Sequence, residues 1–226
     1  AMNLLIFSDE LEALKDCTFI LEAVSEDPDV KREVYAKIAS ICRPDTIFAS
    51  CTSSMDADQL AADIPNPDRF LIAHPFQPVH LQPLVELVGC KATSPSTLRR
   101  AKALMDSLHR QTIILNHSVP GFIVNRLAQA LYRECIDLIE RGVAEPADID
   151  RAVRYAVGMR YASIGLLEYF DAVGYELEAA IAGNIYPTLC NARSVQQLVA
   201  DGIAFGKTGQ KARQGLYIWS ESDLED

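Results

Sequence analysis

The chain has 226 residues, 49% of them hydrophobic and 23% charged, with a formal net charge of −10. That charge argues against a nucleic-acid partner, which needs a basic face, and no run approaches the ~18 consecutive apolar residues of a membrane span. The six cysteines (Cys17, Cys42, Cys51, Cys90, Cys135 and Cys190) form no C-x-x-C pair, so reduced thiols in a cytoplasmic protein are expected, with no metal and no disulfide.

In chain order, residues 3–7 and 18–24 read as strands. Residues 29–41 read as a helix, with Val30, Val34, Ile38 and Ile41 on its inner stripe. Residues 46–50 are β-rich and 58–64 a short helix, and residues 70–73 and 84–88 are again strand-like. Ser94-Pro95 opens a helix by the cap-then-proline rule, with Leu98, Ala101, Met105 and Leu108 inward. Residues 112–116 close the series as a strand. Strands alternating with helices imply βαβ units and a mainly parallel sheet. After Pro120-Gly121 the strands stop. Residues 122–141 read as one long helix, residues 147–157 and 166–173 are helical, and more helix is expected through Ala200. The expected organisation is an α/β domain over residues 1–119 and an all-α domain over 120–226.

Five segments carry a resemblance to a known family. They are Glu22-Ala23-Val24-Ser25-Glu26 followed by Val30-Lys31, then Thr52-Ser53-Ser54, then His74-Pro75-Phe76-Gln77-Pro78 ahead of Leu84-Val85-Glu86. Pro120-Gly121-Phe122-Ile123-Val124-Asn125-Arg126 is the fourth. Lys207-Thr208-Gly209 with Gly215-Leu216-Tyr217 is the fifth. In this order and spacing the chain resembles the 3-hydroxyacyl-CoA dehydrogenases, from their third strand to their end. The resemblance implies a truncated Rossmann-like sheet followed by an all-α substrate and dimerisation domain. It also implies NAD as cofactor, a hydroxyacyl substrate carried as a CoA thioester, and a homodimer.

Oxidising a secondary alcohol needs a hydride acceptor and a base for the hydroxyl proton, and histidine suits the second role. His74 ends a strand expected to point at the ligand side of the sheet. Glu86 follows after a turn and a returning segment, in reach to orient the ring. Beside this pair the resemblance implies Ser53 and Asn125 as partners of the reacting oxygen, and Glu26, Lys31, Ser53 and Gln77 as cofactor contacts. Each has a plainer reading. Ser53 could cap a helix, Asn125 could make a hydrogen bond at a helix start, and Glu26 and Lys31 could sit on an exposed first turn. The family has Asn where Cys51 and Gln77 stand, which leaves local cofactor contacts in question.

Gly158-Met159-Arg160-Tyr161-Ala162-Ser163-Ile164-Gly165 looks like the L-gulonate 3-dehydrogenase and lambda-crystallin branch, which oxidises free hydroxy acids. Leu167-Glu168-Tyr169 and Asp171-Ala172-Val173-Gly174 look like the acyl-CoA side, so the branch stays open, with a 3-hydroxyacyl-CoA as the leading substrate and a free acid of the gulonate type as the alternative. A non-catalytic oligomerising remnant is the reading from another class.

A Rossmann domain opens with a strand, Gly-x-Gly-x-x-Gly and a helix whose N-terminus holds the pyrophosphate. No glycine precedes Gly89 here, no secretory leader is visible, and Ala1 ahead of Met2 reads as a tag remnant. Weak NAD binding by this chain is therefore expected. A start site set too late, a deliberate cut and a natural fragment remain open. Without the central strand, residues 18–24 would have one bare edge. Either a second chain or residues 3–7 are expected to cover it.

Overall fold

Five short β-branched and aromatic runs become strands, and each is separated from the next by a capped helix or a turn. In the computed structural model, which describes residues 5–62 and 64–221, they are β1 (Phe19–Glu22), β2 (Ile47–Ser50), β3 (Phe70–Pro75), β4 (Leu84–Gly89) and β5 (Gln111–Leu115). They form one sheet in the order β1-β2-β3-β4-β5. The β1/β2, β2/β3 and β4/β5 pairings are parallel, and only β3/β4 is antiparallel. The chain divides into two units, Ala1–Arg126 and Leu127–Asp226.

In the first unit α1 (Pro28–Ile41) starts where Asp27 accepts from the Asp29 and Val30 amides and Pro28 needs no donor. Helix α2 (Ala57–Ala61) starts the same way at Asp56, and α3 (Pro95–Ser107) at Ser94. Strand alternation then sorts the core onto two faces. Ile20, Phe48, Phe70, Ile72 and Val88 pack with Tyr35 and Ile38 of α1 and Leu60 of α2. Ile47, Ala49, Leu71, Ala73, Val85 and Leu87 pack on Ala101 and Met105 of α3.

Several expectations need correction. The inner stripe of α1 is Lys31, Tyr35 and Ile38, while Val30 is exposed. Of the expected stripe Ile38 is buried and Val34 packs partly on the core, and Lys31 and Tyr35 share that inner face through their bonds to Glu22. On α3 the buried positions are Thr97, Ala101 and Met105, and Leu108 at the C-cap is exposed because the helix has ended. The strand expected over residues 3–7 is not formed by Leu5, Ile6 and Phe7, which are exposed coil; Asn3 and Leu4 lie outside the described residues. A strand so short needs a neighbour for its backbone, and among the described residues these three have none. Among the described residues β1 pairs with β2 alone.

The second unit contains most of α4 (Val124–Glu140), then α5 (Pro146–Ala152), a π-helical turn (Val153–Gly158), α6 (Met159–Ser163), α7 (Leu166–Val173), α8 (Tyr175–Ile185) and α9 (Gln197–Ala204). Carboxylates of α4 hold the later chain: Glu134 accepts from the Cys190 amide at 2.8 Å and Glu140 from the Leu198 amide at 2.7 Å. The closing segment folds back on itself through Gly209, at φ +98°, and a Cβ on Gly215 would lie 2.9 Å from the Gly209 Cα. Only backbones this close explain the glycine pair. Tyr217 then donates to Asp150 at 2.7 Å.

Candidate active site

Antiparallel pairing of β3 with β4 sets His74 directly opposite Glu86. Period-two alternation puts both on the face that also carries Ile72 and Val88, and a one-residue slip would separate them. His74 Nδ1 lies 2.9 Å from Glu86 Oε2, with the two side chains 7% and 0% exposed. The second carboxylate oxygen, Oε1, accepts from the backbone amides of Ile123 at 2.9 Å and Val124 at 3.0 Å. These are the open donors at the start of α4, where the helix dipole also favours a negative charge. The expected helix over residues 122–141 thus begins at Val124, because Phe122 takes φ +49° and cannot be helical. The rings of Phe76 and Phe122 stand 4.6 Å and 5.4 Å from the imidazole. Nε2 makes no hydrogen bond among the described residues.

A second polar cluster lies where β1 and β2 end. Glu22 is 5% exposed in an otherwise apolar strand. Its carboxylate takes Lys31 Nζ at 2.7 Å, the Tyr35 hydroxyl at 2.6 Å, the Ser50 hydroxyl at 2.7 Å and the Val24 amide at 2.7 Å. Burial alone would raise the Glu22 carboxyl. The hydrogen bonds from Lys31, Tyr35 and Ser50, with the Lys31 charge, outweigh it and hold the group below its ordinary 4.5. Burial and the bond to Glu22 push the Tyr35 hydroxyl well above its usual range, so it stays a donor. The Lys31 ammonium also lies 3.5 Å from Glu26 Oε2. Glu26 Oε1 in turn accepts from the Thr52 hydroxyl, the Ser53 amide at 3.2 Å and the Ser54 hydroxyl at 3.1 Å.

Of the residues singled out from sequence, His74 and Glu86 touch, and Glu26, Lys31 and Ser53 share one hydrogen-bonded chain. Lys31 is 1% exposed, so the plainer reading of an exposed first turn is wrong for it. Ser53 is exposed and caps nothing; Asp56 caps α2 instead. Asn125 is half-buried in the first turn of α4, and Gln77 is exposed in the loop after β3. Neither side chain makes a hydrogen bond among the described residues. Cys51 is half-buried, and burial with the Glu22 charge pushes its thiol up, which disfavours a nucleophilic thiolate. Sequence reasoning named Glu22 within a motif but gave it no role, and it missed Tyr35 and Ser50. The available signal was an acid inside an apolar strand, with Lys31 and Tyr35 four residues apart on one helix.

Two family models cover nearly the whole chain. Residues 1–118 match the NAD binding domain of 3-hydroxyacyl-CoA dehydrogenase and residues 121–219 its C-terminal domain. The chain belongs to the 3-hydroxyacyl-CoA dehydrogenase family. These are NAD-dependent enzymes. This family member is 31% identical over 215 residues to 5-formyl-3-hydroxy-2-methylpyridine 4-carboxylate 5-dehydrogenase of Mesorhizobium japonicum, covering 95% of this chain and 70% of that one. It is 37% identical over 163 residues to L-carnitine dehydrogenase of Pseudomonas aeruginosa, covering 72% of this chain and 51% of that one. The chain therefore spans about half the length of that relative. The crystal structure of the pyridine carboxylate dehydrogenase superposes with a TM-score of 0.93 at 30% identity, over 97% of this chain and 71% of that one. For 3-hydroxybutyryl-CoA dehydrogenase from Escherichia coli K12 the values are 0.75 and 32%, over 94% and 44%.

Cofactor fit follows from the strand ends. β1, β2 and β3 are mutually parallel, so the segments after them leave the sheet on one side, where open α/β sheets bind ligands. Glu26, Ser53 and Gln77 lie in those segments. Their polar side chains on the ligand side of the sheet fit a dinucleotide. No glycine precedes Gly89, so these residues include no glycine loop for the pyrophosphate.

Proposed function

We propose that this chain carries the proton-transfer side of an NAD-dependent oxidation of a secondary hydroxyl. NAD, when bound, supplies the hydride acceptor. His74 Nε2 takes the hydroxyl proton. Glu86 keeps Nδ1 protonated and stabilises the imidazolium that results. Ser53 and Asn125 hold the reacting oxygen in line by hydrogen bonds. Glu26 and Gln77 meet the cofactor from the loops after β1 and β3. Lys31 acts on it through Glu26, because its own ammonium is buried. The observation that carries the reading is the His74–Glu86 contact, with Glu86 held in turn by the first amides of α4. The test is His74→Gln in the full-length enzyme. Turnover should fall about 10²–10⁴-fold with NAD affinity unchanged, and wild-type turnover would refute the assignment.

For the substrate we favour a free 3-hydroxy acid over a CoA thioester. The support is the Gly158–Gly165 stretch, together with relatives named for L-carnitine and for a pyridine 4-carboxylate. The thioester reading is supported by the family's own name and by the 3-hydroxybutyryl-CoA dehydrogenase likeness. Paired assays with 3-hydroxybutyrate and 3-hydroxybutyryl-CoA decide, and a preference for the thioester overturns the first choice.

The second unit is proposed to bind a second copy of itself. Its buried apolar side chains are Ile136 and Ile149, while Leu167, Phe205 and Tyr175 are 80%, 75% and 74% exposed. That is far more apolar surface than a monomer ordinarily leaves wet.

A further inference from the structure

Among the described residues three non-glycines take a positive φ: His109, Phe122 and Arg213. His109 and Arg213 are exposed, where a turn tolerates this, but Phe122 is fully buried. A bulky residue in the left-handed region is strained. Gly121, just before it at φ +77°, adopts the same region without that strain. A glycine at 122 would relieve the backbone, so the phenyl ring must serve something that glycine cannot. Strain of this kind persists where the surroundings over-determine it, and it clusters at active sites.

The ring belongs to the apolar core cluster that also holds Ile72, Val88 and Leu115, and it stands against His74 as well, at 5.4 Å between centroids and a 58° tilt. Phe76 stands against the same imidazole at 4.6 Å and 67°. The hydrogen bond from Nδ1 to Glu86 fixes one atom of the ring and leaves its plane free to swing. Two aromatic walls remove that freedom. The same left-handed turn aims the next two amides, Ile123 and Val124, at Glu86 Oε1.

We propose that Phe122 is a positioning residue for His74: its ring holds the imidazole plane, while its backbone delivers the amides that hold Glu86. One residue thereby sets both members of the pair. The inference rests on the reading of His74 as the base, but the ring geometry can be tested apart from turnover.

The experiment uses the nitrogen-15-labelled chain and long-range histidine spectra. The wild type should show one narrow His74 set with Nδ1 protonated and contacts to both phenyl rings. Phe122→Leu keeps most of the apolar volume. It should broaden or split the His74 lines while the Leu71 and Leu87 amide signals, from residues of the other face's core, stay in place. In the full-length enzyme kcat should fall about tenfold to a hundredfold with KM nearly unchanged, a split that a purely structural role would not produce. Unchanged His74 lines and kcat in a folded Phe122→Leu overturn the proposal. If that variant does not fold, the wild type decides: narrow His74 lines with contacts to Phe122 support the clamp, and broad lines or missing contacts overturn it. If His74→Gln keeps full turnover while Phe122→Leu still broadens the ring, the base assignment falls and the clamp stands.

Discussion

Lys31 Nζ sits 2.7 Å from Glu22 Oε1, with 1% and 2% of the two side chains exposed. Helix α1 and strand β1 are thus joined by an ion pair withdrawn from water, which holds only while both charges are present. Lys31→Met should leave a buried, uncompensated carboxylate and cost about 3–5 kcal/mol. Adding Glu22→Gln should recover part of that loss, because a neutral amide needs no cation. Urea denaturation measures both, and a single variant as stable as wild type would mean the pair is solvated in solution.

Acid should act on the same cluster. The folded Glu22 carboxyl lies below its ordinary 4.5 because the donors around it outweigh burial. A depressed carboxyl contributes stability that is complete above the unfolded value and is lost as pH falls through the folded one. Wild type should therefore weaken below about pH 4.5, and Glu22→Gln should show a flatter stability profile over that acid range. Equal slopes in urea melts taken from neutral pH downward would contradict this.

Glu86→Gln should separate the two jobs of that carboxylate. The amide oxygen still accepts from Ile123 and Val124, but a neutral group no longer stabilises a charged His74. The expected result is a fall in kcat of about tenfold or more with a smaller loss of stability, about 1–3 kcal/mol. A stable variant with wild-type kcat would remove Glu86 from the chemistry.

The exposed apolar surface of the second unit leads to a defined hydrodynamic result. Sedimentation at micromolar concentration should give a dimer. Charged replacements at two of the most exposed apolar positions, Leu167→Glu and Phe205→Glu, should weaken it if those positions lie in the interface. A wild-type monomer would count against the second-copy reading.

The carbonyl of Thr18 accepts from Ile47 of β2 and that of Glu22 from Cys51 just beyond β2, so Phe19 and Leu21 turn their backbone groups to the other side of β1. With nothing else in place, the Leu21 amide should exchange with solvent much faster than that of Ile20. Strong protection at Leu21 would show that another strand covers this edge in solution.

Much of this protein was legible without coordinates, for a physical reason. Alternation within strands, proline and acidic caps at helix starts and the strand–turn–return spacing from His74 to Glu86 are all local. A few neighbouring residues determine them, and the period of two then carries His74 and Glu86 to one face. Other features were decided only when distant segments met. Lys31 lies on the inner face of α1 because an acid from β1, a hydroxyl from β2 and a carboxylate beyond β1 converge there. Phe122 leaves the helical pattern because His74 and Glu86, more than thirty residues earlier in the chain, require its ring and the amides behind it. Residues 3–7 read as a strand, but Leu5, Ile6 and Phe7 find no backbone to pair with among the described residues. Periodicity records which residue types suit a face, whereas a buried charge or a strained turn depends on partners that only the tertiary fold brings within a few ångströms.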